Sequence, residues 1–170
     1  ISNVMPEFNS KFIKYLCLLL FLKGCAYFNT FYNAEEHFET AERIRIENLG
    51  NQIPSRAIQE YAKAIEKSDK VLLEFSDSRY VTQAKLLKGK SHFFRREYDS
   101  AVAIFNQLKE EDESYYQQQA RYWLALCKWK DLKPLPAIKD LNELISEIDD
   151  KNFLSMIYLS LGEIYLGVDD

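Results

Sequence analysis

From about residue 28 onward, apolar side chains recur at spacings of three and four, and no stretch alternates strictly in twos. That period puts the apolar positions on one face of a helix and predicts an all-α chain. The first helix, about 28–48, places Phe31, Ala34, Phe38, Ala41 and Ile44 inside, and Leu49-Gly50 reads as its C-terminal cap. Pro54 suits the first turn of a second helix reaching about Phe75, with Ala57, Ile58, Tyr61, Ala64, Ile65, Val71 and Leu72 on one side. Ser76-Asp77-Ser78 breaks the pattern, and further helices follow at about 79–95, 98–110, 114–130, 134–148 and 151–166. Their links are short (Arg96-Glu97, Asp112-Glu113, Asp131-Leu132-Lys133, Asp149-Asp150), which predicts antiparallel neighbours.

The pattern also repeats. Ala101, Phe105 and Leu108 return 36 residues later as Ala137, Leu141 and Leu144, while Gly89, Ala125 and Gly162 are spaced by 36 and 37. A small residue of one helix precedes that of the next by 12 positions, from Gly89 to Ala101 and from Ala125 to Ala137. Small residues at Gly89, Ala101, Ala125, Ala137 and Gly162 are expected to let helix backbones approach, with Phe105, Leu141 and Tyr165 filling the space between layers.

The stretch 79–166 resembles the tetratricopeptide repeat: Leu161-Gly162 with Tyr158 before and Tyr165 after, and Leu124-Ala125 with Trp129 one place late. Lys88 before Gly89, and His92 where an aromatic belongs, depart from it. The resemblance implies an α-solenoid of stacked antiparallel helix pairs wound as a right-handed superhelix, the first helix of each pair lining a concave groove. Carried over position by position, that lining is Gln83, Leu86, Lys90 and Phe93, then Gln119, Tyr122, Leu126 and Trp129, then Met156, Leu159, Glu163 and Leu166. Lys90, Phe93, Gln119, Tyr122, Leu126, Trp129, Leu159 and Glu163 are the candidate partner-binding residues.

The amino end reads differently. Lys11 and Lys14 precede the uncharged run Tyr15-Leu16-Cys17-Leu18-Leu19-Leu20-Phe21-Leu22, too short to span a bilayer and of the length of a signal-peptide core. Leu22-Lys23-Gly24-Cys25 resembles a bacterial lipobox, although Lys23 stands where a small or β-branched residue is usual. The resemblance implies cleavage before Cys25, acylation of Cys25 and, with Ala26 following, sorting to the outer membrane, on the periplasmic side. The expected organisation is a lipoprotein signal at 1–24, a lipid-anchored helix at 25–53 and repeats over 54–170, with the array continuing past the given end.

Composition narrows the partners. The chain has 170 residues, of which 47% are apolar and only five are Gly and four Pro, so a core can form and glycine-loop nucleotide folds are disfavoured. The net charge is −4, and the part from Cys25 onward holds 19 basic and 25 acidic side chains, which excludes a strongly basic nucleic-acid surface. Glu35-Glu36-His37 and Glu39 are not a zinc motif and are expected on a solvated face; Glu110-Glu111-Asp112-Glu113 is an acidic turn. Arg95-Arg96 suits a helix C-terminus, His92 a structural position, and Cys127 inert packing. No catalytic constellation, metal site or cofactor motif emerges, and no small-molecule substrate is expected.

A lipobox followed directly by such helices resembles the BamD-like outer-membrane assembly lipoproteins. Phe75-Ser76-Asp77-Ser78-Arg79-Tyr80-Val81-Thr82-Gln83-Ala84 is similar to a link of that group, with Ser76 where it has Pro. Cys25-Ala26-Tyr27-Phe28-Asn29-Thr30-Phe31-Tyr32-Asn33-Ala34 is also similar to the start of tetratricopeptide lipoproteins tied to gliding or secretion machinery. The resemblance implies a non-enzymatic adaptor that binds envelope proteins or peptide segments. A subunit of a secretion or gliding complex, and the scaffold region of a cell-wall enzyme with a downstream catalytic domain, are the alternatives.

Overall fold

The computed structural model describes the backbone of residues 10–168 and the side chains of 29–167. The described residues form seven helices and no strand: α1 (Ser10–Glu47), α2 (Ser55–Glu74), α3 (Val81–Phe94), α4 (Tyr98–Leu108), α5 (Ser114–Lys130), α6 (Pro134–Ile145) and α7 (Lys151–Val168). The chain is all-α, with neighbouring helices packed on one another. Helix α1 begins well before the position expected from periodicity. The side chains of Cys25, Ala26 and the run Tyr15–Leu22 lie outside the described residues. No described helix is long and apolar enough to cross a membrane.

Pairwise contacts fix the directions of the helices. Helices α1 and α2 run antiparallel, since Phe31 joins a cluster with Val71 and Leu72 while His37 reaches back to Glu60 at 2.6 Å. Helix α3 doubles back along α2, with Lys88 at 2.5 Å from Asp69 and Arg95 donating to the Ile58 carbonyl at 3.0 Å. Helices α5 and α6 are antiparallel too, since Lys128 pairs with Asp140 of α6 and Arg121 with Glu147 just past its end, each at 2.5 Å.

The odd-numbered helices form a second set of contacts. Phe31 stacks on Tyr80, Lys90 lies over Phe38 and Arg45 over Phe94, so α1 and α3 run parallel. Phe93 meets Trp123 between α3 and α5, and Tyr122 meets Phe153 between α5 and α7. Among the described residues, odd helices touch one another, whereas α2, α4 and α6 touch only their odd neighbours. The odd helices therefore make an inner row, and the even ones stand on its outer side.

Small residues set the approach. Ala101, Ala125 and Ala137 are fully buried, and the ring of Phe105 occupies the notch left by Gly89. Phe105, Leu108, Leu141, Leu144, Ile157 and Ile164 are among the most deeply enclosed side chains, each contributing roughly 1.5–3 kcal/mol. Two sequence expectations fail at the end of the stack. Tyr165 is 50% exposed and fills no interlayer gap. Gly162 has nothing within 4 Å of where a Cβ would stand, so no backbone approaches it. The reason is positional: no described helix covers the outer face of α7 as α4 covers α3 and α6 covers α5.

The backbone repeats as well as the side chains. Arg96 and Leu132, 36 residues apart, both adopt left-handed φ, at 62° and 57°. After each, the next amide reaches back five residues, Glu97 to the His92 carbonyl and Lys133 to the Lys128 carbonyl, both at 3.0 Å. This is the six-to-one bond of a Schellman cap, made here without glycine at a strain of roughly 1–2 kcal/mol per site.

Two glycine substitutions should therefore part company. A Cβ at Gly89 would lie 2.6 Å from Phe105 Cε1, and that ring is enclosed; Gly89→Ala should destabilise by about 1–3 kcal/mol. Gly162→Ala, in open helix, should be neutral or stabilising by up to about 1 kcal/mol. Urea unfolding followed by circular dichroism measures both, and equal losses would contradict this packing.

Candidate functional site

The inner row lines an open cavity of about 740 Å³, within the about 300–1,000 Å³ common for ligand sites. Its wall comes from the ends of α1, α3 and α5, the α1–α2 link from Asn48 to Ile53, the start of α4 and the middle of α7. Helical periodicity explains why these elements converge. Residues at i, i+3, i+4 and i+7 of each odd helix point the same way, so one face of α5 offers Tyr122, Trp123, Leu126, Trp129 and Lys130 together.

Of the eight groove residues expected from sequence, seven line this cavity: Lys90, Phe93, Tyr122, Leu126, Trp129, Leu159 and Glu163. Gln119 is buried on α5 and lies outside the wall. Burial divides the seven. Phe93, Tyr122 and Leu126 are also core residues, below 8% exposed, whereas Leu159 is 67% exposed and Trp129 is partly buried. Tyr122 is held in place by a buried hydrogen bond to Ser160 at 2.8 Å, and burial raises its pKa. Of the wider set drawn from the repeat, Met156 joins the wall, while Gln83 and Leu166 are exposed elsewhere.

Sequence reasoning missed Trp123. It sits at the hub of the wall, with ring centroids 5.1 Å from Phe93, 5.7 Å from Phe94 and 5.3 Å from Tyr122, and stacks on Phe105 at 6.0 Å. Among the described residues its buried indole N–H has no acceptor. The signal lay in the chain, since an aromatic beside Tyr122 flanks the same helical face. Also missed were Glu42, Arg45, Arg96, Tyr98 and Lys130. Arg45, Arg96 and Lys130 come at or just after helix C-termini, where a cation has a ready explanation and draws no notice.

The charges are unevenly matched. Arg45 donates to both oxygens of Glu42, from Nε at 3.0 Å and Nη2 at 2.7 Å. Tyr61 donates its hydroxyl to the same carboxylate, and burial, then Glu42, pushes that phenol well up. Lys90 has rings for neighbours instead: Nζ lies 5.1 Å from the Phe38 centroid and 5.5 Å from that of Trp123. Burial lowers its pKa against an upward pull from Glu42. Lys130 Nζ sits 3.4 Å from the centroid of Trp129. Such cation–ring contacts contribute about 0.5–2 kcal/mol each.

Other expected positions fall outside the wall. His37 is not on a fully solvated face as its sequence suggests. It is partly buried and bonded to Glu60, because α2 packs across that turn of α1. His92 pairs with Glu97 at 2.6 Å, at the α3–α4 turn. Within the acidic turn, Glu111 binds Lys85 at 2.7 Å. Among the described residues no group of three or more His, Cys, Asp or Glu is placed to hold a metal. The wall offers apolar contact, hydrogen-bonding groups and charge.

No family model, curated protein or solved structure matches the chain.

Cys127 lies on the core side of α5, 2% exposed, and burial pushes its thiol up to about 12. At pH 8 it should therefore be almost wholly protonated and closed to reagents. Iodoacetamide labelling read by peptide mass spectrometry should show Cys127 unmodified in the folded chain and fully modified in urea; fast native labelling would refute its placement.

Proposed function

We propose that this protein is a non-catalytic scaffold of the tetratricopeptide type, fixed to a membrane through acylated Cys25 and holding a segment of another envelope protein in the cavity of its inner row. The observation that carries the reading is the cavity. Five helices contribute to one wall, and that wall combines Phe93, Tyr98, Tyr122, Leu126 and Trp129 with a few polar groups. Peptide-holding grooves have this make-up, because apolar side chains supply affinity while sparse polar groups fix register. The 36-residue recurrence of Gly89 and Ala125, and of the left-handed caps at Arg96 and Leu132, supports the repeat assignment and its superhelical winding.

The membrane part of the proposal rests on Lys11, Lys14, the apolar run and Leu22-Lys23-Gly24-Cys25. Acyl chains contribute about 0.8 kcal/mol per buried methylene, so two or three hold a protein on a bilayer. Outer-membrane placement, on the periplasmic side, follows Ala26. The partner would be a component of outer-membrane protein assembly.

Two measurements test the parts separately. With an alkyne fatty acid in the medium, the native chain should take up label and sediment with membranes, while Cys25→Ser should do neither; a labelled Cys25→Ser form would end the anchor proposal. A photo-crosslinking amino acid at Leu159, in the cavity, should give a discrete adduct with an envelope protein, and the same group at Glu143, on the outside of α6, should not. Trp129→Ala should cut the Leu159 adduct by about tenfold, the equivalent of roughly 1.4 kcal/mol. Equal adducts from both positions would refute the groove.

A further inference from the structure

Three cations of the cavity wall have no carboxylate partner within 4 Å among the described residues: Lys90, Arg96 and Lys130. Elsewhere in the chain cations are commonly paired, as Lys85 is with Glu111, Lys88 with Asp69, Arg121 with Glu147 and Lys128 with Asp140. The contrast is sharper because the chain is acidic overall, at −4. Only Glu42 and Glu163 bring negative charge to the wall; Glu42 is bonded to Arg45 and Tyr61 and acts on Lys90 from beyond 4 Å, as Glu163 acts on Lys130.

An ammonium drawn from water into a ring-lined pocket loses hydration that ring faces restore only in part. Lys90 stands in that position, with Phe38 and Trp123 beside it. A carboxylate entering the cavity would supply the missing counter-charge in surroundings of lowered dielectric, where it counts for more than at an open surface. The unpaired Trp123 N–H is buried in the same wall.

We propose that the segment held here is an acidic peptide, one that alternates carboxylate side chains with apolar or aromatic ones. The carboxylates would meet Lys90, Lys130 and Arg96, and the apolar side chains would lie against Phe93, Tyr122 and Trp129. Lys90 lies against Phe38 and Trp123 and Lys130 against Trp129, so charge and ring faces alternate along the wall, which suits a chain that alternates carboxylates with apolar side chains. This inference rests on the peptide-holding reading and adds the charge that the peptide must carry.

The chain contains two tryptophans, Trp123 and Trp129, and both are in the wall, so intrinsic fluorescence reports occupancy directly. The probes are the capped peptide acetyl-Glu-Phe-Glu-Leu-Glu-Phe-amide and its counterparts with Gln or Lys in place of each Glu. The Glu peptide should bind at least about tenfold more tightly than the Gln peptide, and the margin should shrink as salt rises from about 20 mM to about 200 mM. Lys90→Gln should cut the Glu-over-Gln ratio to less than about threefold. Lys130→Gln, at an exposed position, should also lower it. Equal binding of Glu and Gln peptides overturns the inference and leaves the peptide groove standing, as does a ratio unchanged in both variants. Preference for the Lys peptide overturns it as well. Failure of all three peptides to bind removes the inference together with the groove. Tighter binding to phosphatidylglycerol vesicles than to the Glu peptide would also overturn it, by assigning the cations to lipid headgroups.

Discussion

A continuous run of aromatic rings ties the helices together, and the remaining features are placed by it. Phe38 meets Tyr61 at 5.7 Å, Tyr61 stacks on Phe94 at 5.2 Å, and Phe94 meets Trp123 at 5.7 Å. From Trp123 the run branches to Phe105 on α4 and to Tyr122, which continues to Phe153 on α7 at 5.5 Å. Most of these contacts are edge-on or stacked, the arrangements favoured by ring quadrupoles and worth about 0.5–1.5 kcal/mol beyond buried area. The run crosses six helices, omitting only α6. Where it reaches the surface of the inner row, it becomes the wall of the cavity. Core and candidate site are therefore one body of side chains, and Phe93, Tyr122 and Leu126 belong to both.

Charged groups play a secondary part in holding the fold. Most ion pairs are exposed or half-exposed, such as Lys133–Asp131 and Lys139–Glu143, and pairs of that kind contribute about 0–1 kcal/mol. Those that bridge helices, among them His37–Glu60, Lys88–Asp69 and Arg121–Glu147, stand along the seams and fix which turn faces which. Their value is in register more than in strength.

Much of the helical layout was readable from periodicity, most clearly in α2, α4 and α6, whose apolar and polar faces are well separated, and least in α3 and α5, which are packed on more than one side. The shared face of Lys90, Phe93, Tyr122, Leu126 and Trp129 was implied by the resemblance to the tetratricopeptide repeat, whose register the 36-residue offset between Gly89 and Ala125 set. Trp123 escaped notice because one step along a helix turns the side chain by about 100°, while a large indole still reaches the wall. Tyr165 and Gly162 were misjudged because they fit the repeat pattern perfectly; what decides their burial is a neighbouring helix, which no pattern within α7 reveals. His37 was misjudged likewise, since its partner Glu60 lies on α2.

The matching left-handed turns at Arg96 and Leu132 bear on how such a molecule can grow. Each sets the angle at which an even helix leaves the odd helix before it, and the two angles are made by the same hydrogen bonds. A joint copied with its module preserves bend when modules are duplicated or lost. A chain lengthened by one 36-residue unit would thus extend the same row of helices through a joint it already possesses, without a new turn having to be invented.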